Sequence, residues 1–277
     1  MEGWSGYMWT GLILGTAGVA CSERWPVIWM ILEINLISFL ALATQRWTRK
    51  KWGILYFVVQ SVGSLIIIGG GIRVDRRGFI CKIITVGLLL KAGLAPLHYW
   101  APMLISVLSK HITICFLTWQ KIAPILLLSI TTGKNVLIRV LLVSIYVGAG
   151  GSLGSKDLSL LLFYSGLIHI RWVLSSPLSI AFVYFIGYVI ITIPVFYCNN
   201  SKDLSLLILN LAGLPPISGF FLKLNVIPSL GLGFGFLILI ASGVVIYGYL
   251  RVFLFSSQNI GNPKTATLLI CVLGFLY

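Results

Sequence analysis

The sequence has few charged residues: 9% of its 277 positions are Asp, Glu, Lys or Arg, and only 6 residues are acidic. A soluble domain has about 25% charged and about 45–50% apolar residues, whereas 58% of this chain is apolar and its mean hydropathy is +1.03. These values exclude a water-soluble fold. Because a spanning helix needs about 20 mainly apolar residues, the length predicts roughly ten to twelve membrane helices and no extramembrane domain.

Motifs for redox, metal and nucleotide chemistry are also missing. The 5 cysteines lie singly, with no C-x-x-C pair and no histidine at ligand spacing, which argues against disulfides and a metal site. There is no Rossmann fingerprint, no P-loop and no nucleophile beside a base. The formal charge of +14 is scattered instead of forming a basic face with aromatics. We therefore expect no metal or cofactor bound by this chain and no nucleic-acid partner.

The N-terminus lacks a basic stretch followed by a cleavage site, and it lacks the Arg/Ser-rich pattern of an organelle presequence. We expect the first span to begin directly, as in a protein made in a bacterium or inside an organelle. Lysine and arginine are more frequent in the loops on the N-terminal side of the membrane, which predicts that the N-terminus lies on the positive-inside face.

Hydrophobic runs bounded by charged or turn residues predict an all-α membrane protein with about eleven transmembrane helices. The predicted spans are residues 3–21, 25–44, 52–72, 79–108, 111–132, 135–154, 157–176, 178–197, 203–228, 229–256 and 263–277. The runs 79–108 and 203–228 are too long for one straight helix, and each contains a Gly-Pro interruption. Each is therefore predicted to be a broken helix.

The two interruptions share a motif: Ala92-Gly93-Leu94-Ala95-Pro96 recurs as Ala212-Gly213-Leu214-Pro215-Pro216. The motifs lie an odd number of spans apart, so the copies enter the membrane from opposite sides, as in an inverted-repeat transporter. We predict a single transmembrane domain over 1–277, with five-helix repeats at about 1–132 and 135–256 and an extra helix at 263–277. The alternative is two proline kinks that share small residues by chance.

Glu33 and Lys91 are charges within apolar runs. Glu33 lies in the middle of the second span, where a carboxylate costs on the order of 2.5–3.5 kcal/mol and needs a partner. Lys91 directly precedes the first break, where an interrupted helix leaves carbonyl groups that can solvate an ammonium. Because opposite charges stabilise each other in low dielectric, the two predict a pair that responds to protonation. The alternatives are a neutral, hydrogen-bonded Glu33 and a Lys91 that snorkels to the interface.

Two further lysines lie within apolar runs. Lys121 is halfway along the fifth span, with Gln120 beside it as a further candidate relay group and Pro124 three residues on. Lys223 follows the second break, and snorkelling to an interface is the alternative for it. We expect both lysines to be proton-translocating groups.

Two histidines are candidate proton relays because imidazole titrates near physiological pH. His169 stands within the seventh span, and His98 follows the first break in Pro96-Leu-His98. The alternative for each is a hydrogen-bonded core residue. If the candidates work together, we expect Lys91, Lys121, His169 and Lys223 to line one polar band near the membrane midplane.

The most specific stretches are 91–100 (KAGLAPLHYW), 117–124 (LTWQKIAP), 164–172 and 213–219 (GLPPISG) together with Lys223. On these residues the chain resembles the subunit 2 family of NADH dehydrogenase (ubiquinone), the antiporter-like, proton-translocating subunits of mitochondrial complex I. The resemblance covers most of the chain. The run Thr-Trp-Gln-Lys-Ile-Ala-Pro separates this family from the related subunits 4 and 5.

The resemblance implies the roles of the candidate residues. Glu33 and Lys91 match the charge pair of the family, Lys121 its central lysine, Lys223 the lysine of its second broken helix and His169 its mid-membrane histidine. It implies the shortened animal form, with the N-terminus in the matrix of a mitochondrion. It also implies other complex I membrane subunits and lipids as partners, with flavin, iron–sulfur clusters and ubiquinone in other subunits.

Departures from the family pattern lie beside His169. The chain has Ile170-Arg171 where the family has a small residue, and Leu161-Leu162-Phe163 where the family has basic residues. These departures leave the contacts of His169 open. Two other functions stay open: a free-standing cation/proton antiporter and a passive assembly subunit whose charges only pack.

Overall fold

The computed structural model describes residues 2–44, 50–71, 77–198, 201–214, 218–229 and 232–257. They form α-helices joined by short connections, which is the structure that satisfies backbone polar groups where water is absent. The chain divides into two compact units, Met1–Val147 and Gly148–Tyr277.

Among its described residues, the first unit contains seven complete helices and most of an eighth. These are α1 (Glu2–Cys21), α2 (Trp25–Thr44), α3 (Lys50–Gly71), α4 (Arg77–Ala92), α5 (Trp100–Ile105), α6 (Lys110–Leu117), α7 (Trp119–Thr131) and α8 (Lys134–Gly154). Helices α2, α3, α4 and α7 pack in sequence beside one another. Aromatic rings fill the space between α2, α3, α5 and α6: Phe39 and Tyr56 lie 5.0 Å apart, and Trp100 and Phe116 lie 5.7 Å apart.

The second unit begins within α8. Its own elements are α9 (Leu158–Ser175), α10 (Leu178–Tyr197), α11 (Ser201–Ala212), α12 (Ser218–Val226), a 3-10 helix (Ile227–Ser229) and α13 (Leu232–Ser257). Helix α10 packs against α9, α11 and α12, while α13 packs against α9 and α11.

Each predicted span from 3–21 to 229–256 coincides with one helix or with an interrupted pair of helices. Within the described residues, six helical segments are long and apolar enough to cross a membrane, and a shorter apolar helix covers Gly235–Arg251. The eleventh predicted span, 263–277, lies outside the described residues, so the number of spans stays a prediction. The two predicted repeats likewise stay a prediction. The boundary between the compact units falls inside α8, whereas the sequence placed the repeat boundary before that helix.

The first predicted break is confirmed. Helix α4 ends at Ala92, and Gly93 has a φ of +62°, a left-handed conformation that glycine adopts without a steric penalty. Its N–H donates to the carbonyl of Leu90 at 3.2 Å, and the N–H of Leu94 donates to the carbonyl of Leu89 at 3.0 Å. These two bonds form a Schellman motif, which satisfies carbonyls at the end of the helix.

The second predicted break has the same local structure. Helix α11 ends at Ala212, and Gly213 has a φ of +73°. The N–H of Gly213 donates to the carbonyl of Asn210 at 3.0 Å, and that of Leu214 donates to Leu209 at 3.4 Å. The shared Ala-Gly-Leu sequence therefore ends both helices with a Schellman motif.

The prolines of the second break, Pro215 and Pro216, lie outside the described residues. Helix α12 begins immediately beyond this gap, at Ser218. The second half of the broken helix is therefore short, at 9 residues.

The predicted fifth span, 111–132, is matched by a membrane-length helical segment at Lys110–Thr131, which is interrupted at Thr118 between α6 and α7. Thr118 has φ −110° and ψ −72°. Pro124, within α7, has no N–H for the carbonyl of Gln120, and its ring crowds that carbonyl, which weakens the helix in this region. The N–H of Lys121 donates to the carbonyl of Thr118 at 3.3 Å, which tightens the turn. Lys121 therefore lies in the first turn after a kink.

Candidate functional site

Lys91 lies in the last turn of α4 and is only 6% exposed. Its aliphatic stem crosses Gly63 of α3, where a Cβ atom would come within 2.9 Å of the Lys91 Cγ. Gln60, also on α3, donates from Nε2 to the backbone carbonyl of Lys91 at 3.0 Å. The side chain is thus held between two helices and does not snorkel, and the helix C-terminus favours its positive charge.

Glu33 lies on α2 and is half-buried. The hydroxyl of Ser64 on α3 donates a hydrogen bond to its Oε1 atom. Glu33 and Lys91 therefore contact adjacent residues of α3, Ser64 and Gly63.

A cavity of about 10 Å³ separates Lys91 from the kinked fifth span, and this is the volume that one water molecule needs. Its polar lining includes Asn35, Gln60, Lys91 and Gln120. Gln120 donates from Nε2 to Oδ1 of Asn35 at 3.1 Å, which joins α7 to α2. A proton on Lys91 thus faces amide groups and room for water instead of a purely apolar wall.

Lys121 is 2% exposed and lies beside Gln120 on α7. Burial at this level places the ammonium inside the helix bundle and not on a lipid-facing surface. A buried ammonium is costly unless it is solvated by polar groups. The kink at Thr118 supplies local backbone groups that are absent from a straight helix.

His98 is buried in the connection between α4 and α5. Its Nδ1 atom lies 3.3 Å from the carbonyl oxygen of Pro96, and its ring packs against that of Tyr99 at 4.4 Å. It does not line the cavity beside Lys91. The structure therefore places His98 outside the cavity that Lys91 and Gln120 line.

In the second unit, Lys223 lies on α12 and is 6% exposed. Its Nζ atom donates a hydrogen bond to the carbonyl of Ala212, the last residue of α11. A cation beside the last carbonyls of a helix is stabilised by hydrogen bonding and by the helix dipole. Lys223 therefore reaches back across the break.

His169 on α9 is 8% exposed, and its Nδ1 atom lies 2.9 Å from the hydroxyl of Tyr184 on α10. Its ring also packs against Tyr188, with centroids 4.9 Å apart. Two cavities of about 10 Å³ each are lined by both His169 and Lys223. The structure therefore brings this histidine and this lysine to common, water-sized spaces.

Arg171, at which the chain departs from the family pattern, is 2% exposed on α9. Residues two apart on a helix do not face each other, so Arg171 and His169 lie on different faces of α9. Within the described residues, no group of three His, Cys, Asp or Glu side chains has the arrangement of a metal site.

The sequence analysis missed several residues that surround the candidates. In the first unit these are polar residues of otherwise apolar helices: Asn35, Gln60 and Ser64. In the second unit they are Tyr184 and Asn210, which line a cavity together with His169 and Lys223. Each of these residues could have been found as a polar side chain inside a predicted membrane span, because polar side chains in membrane helices form hydrogen bonds to neighbouring helices.

Comparisons with known proteins find relatives that match most of the chain. The family described as NADH:quinone oxidoreductase/Mrp antiporter, TM, matches residues 71–205. NADH-ubiquinone oxidoreductase chain 2 of Myxine glutinosa is 31% identical, over 78% of this chain and 74% of the relative. The chain 2 of Anopheles gambiae is 30% identical, over 79% of this chain and 74% of the relative.

Solved structures share the fold. A chain of respiratory complex I from Thermus thermophilus with bound aureothin matches with a TM-score of 0.73 at 20% identity, over 88% of this chain and 68% of that one. A chain of the Mrp complex from Dietzia sp. DQ12-45-1b matches with a TM-score of 0.74 at 16% identity, over 87% and 58%. Together with the sequence relatives, these matches show that the chain belongs to the NADH-ubiquinone oxidoreductase chain 2 family of antiporter-like membrane proteins.

Proposed function

We propose that this chain translocates protons as the antiporter-like subunit 2 of a respiratory complex I. The observation that supports this most is the burial of three lysines, Lys91, Lys121 and Lys223, each beside a helix interruption. Buried ionisable groups in membrane helices are costly and mark ion and proton pathways. Their placement beside interrupted helices supplies the carbonyls and space that an ammonium needs.

In the first unit, the proton-carrying atoms are the Nζ atoms of Lys91 and Lys121, and Glu33 is the charge that responds to them. A carboxylate beside an ammonium stabilises both charges. When a proton reaches or leaves one partner, the proton affinity of the other must change. The cavity lined by Gln60 and Gln120 is the space through which a water-mediated transfer would pass.

In the second unit, the proton passes between Lys223 and His169. Both line the same small cavities, and the hydroxyl of Tyr184 orients the imidazole. A neutral imidazole can accept a proton on one ring nitrogen while the other is hydrogen-bonded. His98, in the connection after the first break, is a further relay of the first unit in this proposal. The broken-helix residues Gly93 and Gly213 set the positions of the lysines.

The proposed setting is the mitochondrial inner membrane, with the N-terminus in the matrix. The proposed partners are other membrane subunits of complex I and lipids, and nucleic acid is not a proposed partner. The chain carries out no redox chemistry in this proposal. Flavin, iron–sulfur clusters and ubiquinone are held by other subunits, and quinone reduction there drives the proton steps here.

Purification in a mild detergent tests this function. We expect the chain to co-purify with a large assembly that contains flavin and iron–sulfur centres and reduces quinone with NADH. Recovery of the chain alone, with cation/proton exchange in vesicles that contain nothing else, would contradict the proposal.

The fold shared with the Mrp complex keeps a free-standing cation/proton antiporter as the second candidate. An antiporter exchanges cations without NADH and quinone, whereas a complex subunit moves protons only when quinone is reduced. A passive assembly subunit is distinguished from both, because substitution of its lysines leaves proton translocation unchanged.

A further inference from the structure

Asn210, on the last turns of α11, contacts the first residues of α12 across the break. Its Oδ1 atom accepts a hydrogen bond from the backbone N–H of Gly219 at 2.8 Å and another from the hydroxyl of Ser218 at 3.0 Å. The first N–H groups of a helix have no partner within the helix, and an oxygen acceptor that binds one of them stabilises the helix start. Helix α12 is thus capped by a side chain of the preceding helix.

The two half-helices also approach each other closely at this point. A Cβ atom on Gly219 would collide with the backbone carbonyl of Asn210. That carbonyl is the one that accepts the N–H of Gly213 in the Schellman motif. The backbone and the side chain of Asn210 therefore hold both sides of the break.

Lys223 makes the reverse contact, from α12 back to α11. Its Nζ atom donates to the carbonyl of Ala212, and its stem lies over Gly213, where a Cβ would come within 2.8 Å of Nζ and 2.9 Å of Cδ. Gly219 and Lys223 are four residues apart and share one face of α12. Lys223 is one turn after Gly219, so the contact of Asn210 with Gly219 fixes the distance over which the lysine reaches back to α11.

Asn210 also lines the cavity that contains His169 and Lys223. We propose that Asn210 is a positioning residue for Lys223: it clamps the start of α12 so that the ammonium lies between the Ala212 carbonyl and the cavity shared with His169. This inference rests on the proposed function, since it assigns the residue that places one of the proton-carrying groups. Asn210 itself carries no proton in this scheme.

The test uses the assembled complex reconstituted in vesicles, with protons moved per electron as the readout. Asn210→Ala removes the acceptor. We expect it to lower the number of protons moved per electron by at least half of the decrease that Lys223→Gln causes. Asn210→Asp keeps an oxygen acceptor at the same reach and should restore the ratio. Ser218→Ala removes one of the two donors and should have a smaller effect. The matched control is Asn225→Ala, an exposed asparagine on the same helix.

The outcomes separate this inference from the function on which it rests. An unchanged ratio in Lys223→Gln would contradict the proposed function itself. A lowered ratio in Lys223→Gln with an unchanged ratio in Asn210→Ala would overturn only the positioning role. Failure of both Asn210→Ala and Asn210→Asp to assemble would also overturn it, because the asparagine would then be required for packing and not as an acceptor.

Discussion

The hydroxyl of Ser64 donates a hydrogen bond to the carboxylate of Glu33, and this bond ties α2 to the helix that packs against Lys91. Gly63, the residue before Ser64, is the one that the stem of Lys91 crosses. Helix α3 therefore holds the carboxylate with one residue and the lysine with its neighbour. Both contacts are therefore made to a helix and not to a loop.

Glu33→Gln keeps the shape of the side chain and removes its charge. We expect the complex to assemble but to move fewer protons per electron or to reduce quinone more slowly, because Lys91 no longer has a charge that responds to its proton. Loss of one partner of a buried pair costs about 3–5 kcal/mol in soluble proteins, so Lys91 should stay neutral. Val62→Ile, at an exposed position of α3, is the control. Normal stoichiometry and turnover in Glu33→Gln would mean that the pair is structural.

Ser64→Ala removes the hydrogen bond but leaves both charges. A hydrogen bond to a charged group contributes about 1.5–3 kcal/mol, so we expect a loss of turnover in the same direction as Glu33→Gln and smaller. Ser61→Ala, one turn earlier on the same helix, is the control. Equal turnover in the Ser64 and Ser61 variants would show that the hydroxyl does not position the carboxylate.

Gly63→Ala tests the close packing of α3 on α4. Its Cβ would meet the Lys91 Cγ at 2.9 Å and the carbonyl of Gly87 at 3.2 Å, so we expect overpacking to cost about 1–3 kcal/mol. At Gly69 of the same helix a Cβ would meet nothing within 4 Å, and Gly69→Ala should stabilise the helix by about 0.5–1 kcal/mol. The measurement is the temperature at which the purified complex loses activity. A Gly63→Ala complex as stable as Gly69→Ala would contradict the packing described here.

Tyr184→Phe removes the hydroxyl that bonds His169 and keeps the ring. We expect slower turnover with normal assembly, because the imidazole loses the contact that orients its Nδ1 atom. Tyr146→Phe, at a tyrosine that is 83% exposed on α8, is the matched control. If both variants turn over at the same rate, His169 does not depend on Tyr184.

The sequence predicted the helix breaks because their cause is local. Only glycine adopts the conformation of Gly93 and Gly213 without penalty, and the residues on either side of each glycine are the same. The buried lysines were equally visible as charges in apolar runs. Pro124 was a sequence signal for a kink in the fifth span as well, but the apolar run 111–132 is short enough to be read as one helix.

The partners of the charges could not be predicted because they depend on the register of packed helices. Ser64 is 31 residues from Glu33, and Gln120 is 85 residues from Asn35. Nothing in either local sequence states which face of one helix meets the other. Asn210 lies eight residues before Ser218, the first residue of α12, whereas sequence patterns for helix caps expect the capping residue directly before the helix.

The most direct test of the account is the number of protons moved per electron in a complex with Lys121→Gln. The variant removes the charge of a side chain that is 2% exposed, and we expect the fold to tolerate it. The control is Lys110→Gln, at an exposed position on α6. If buried lysines carry the protons, the ratio or the turnover falls in Lys121→Gln and is unchanged in Lys110→Gln. An assembled Lys121→Gln complex with a normal ratio and normal turnover would contradict the account.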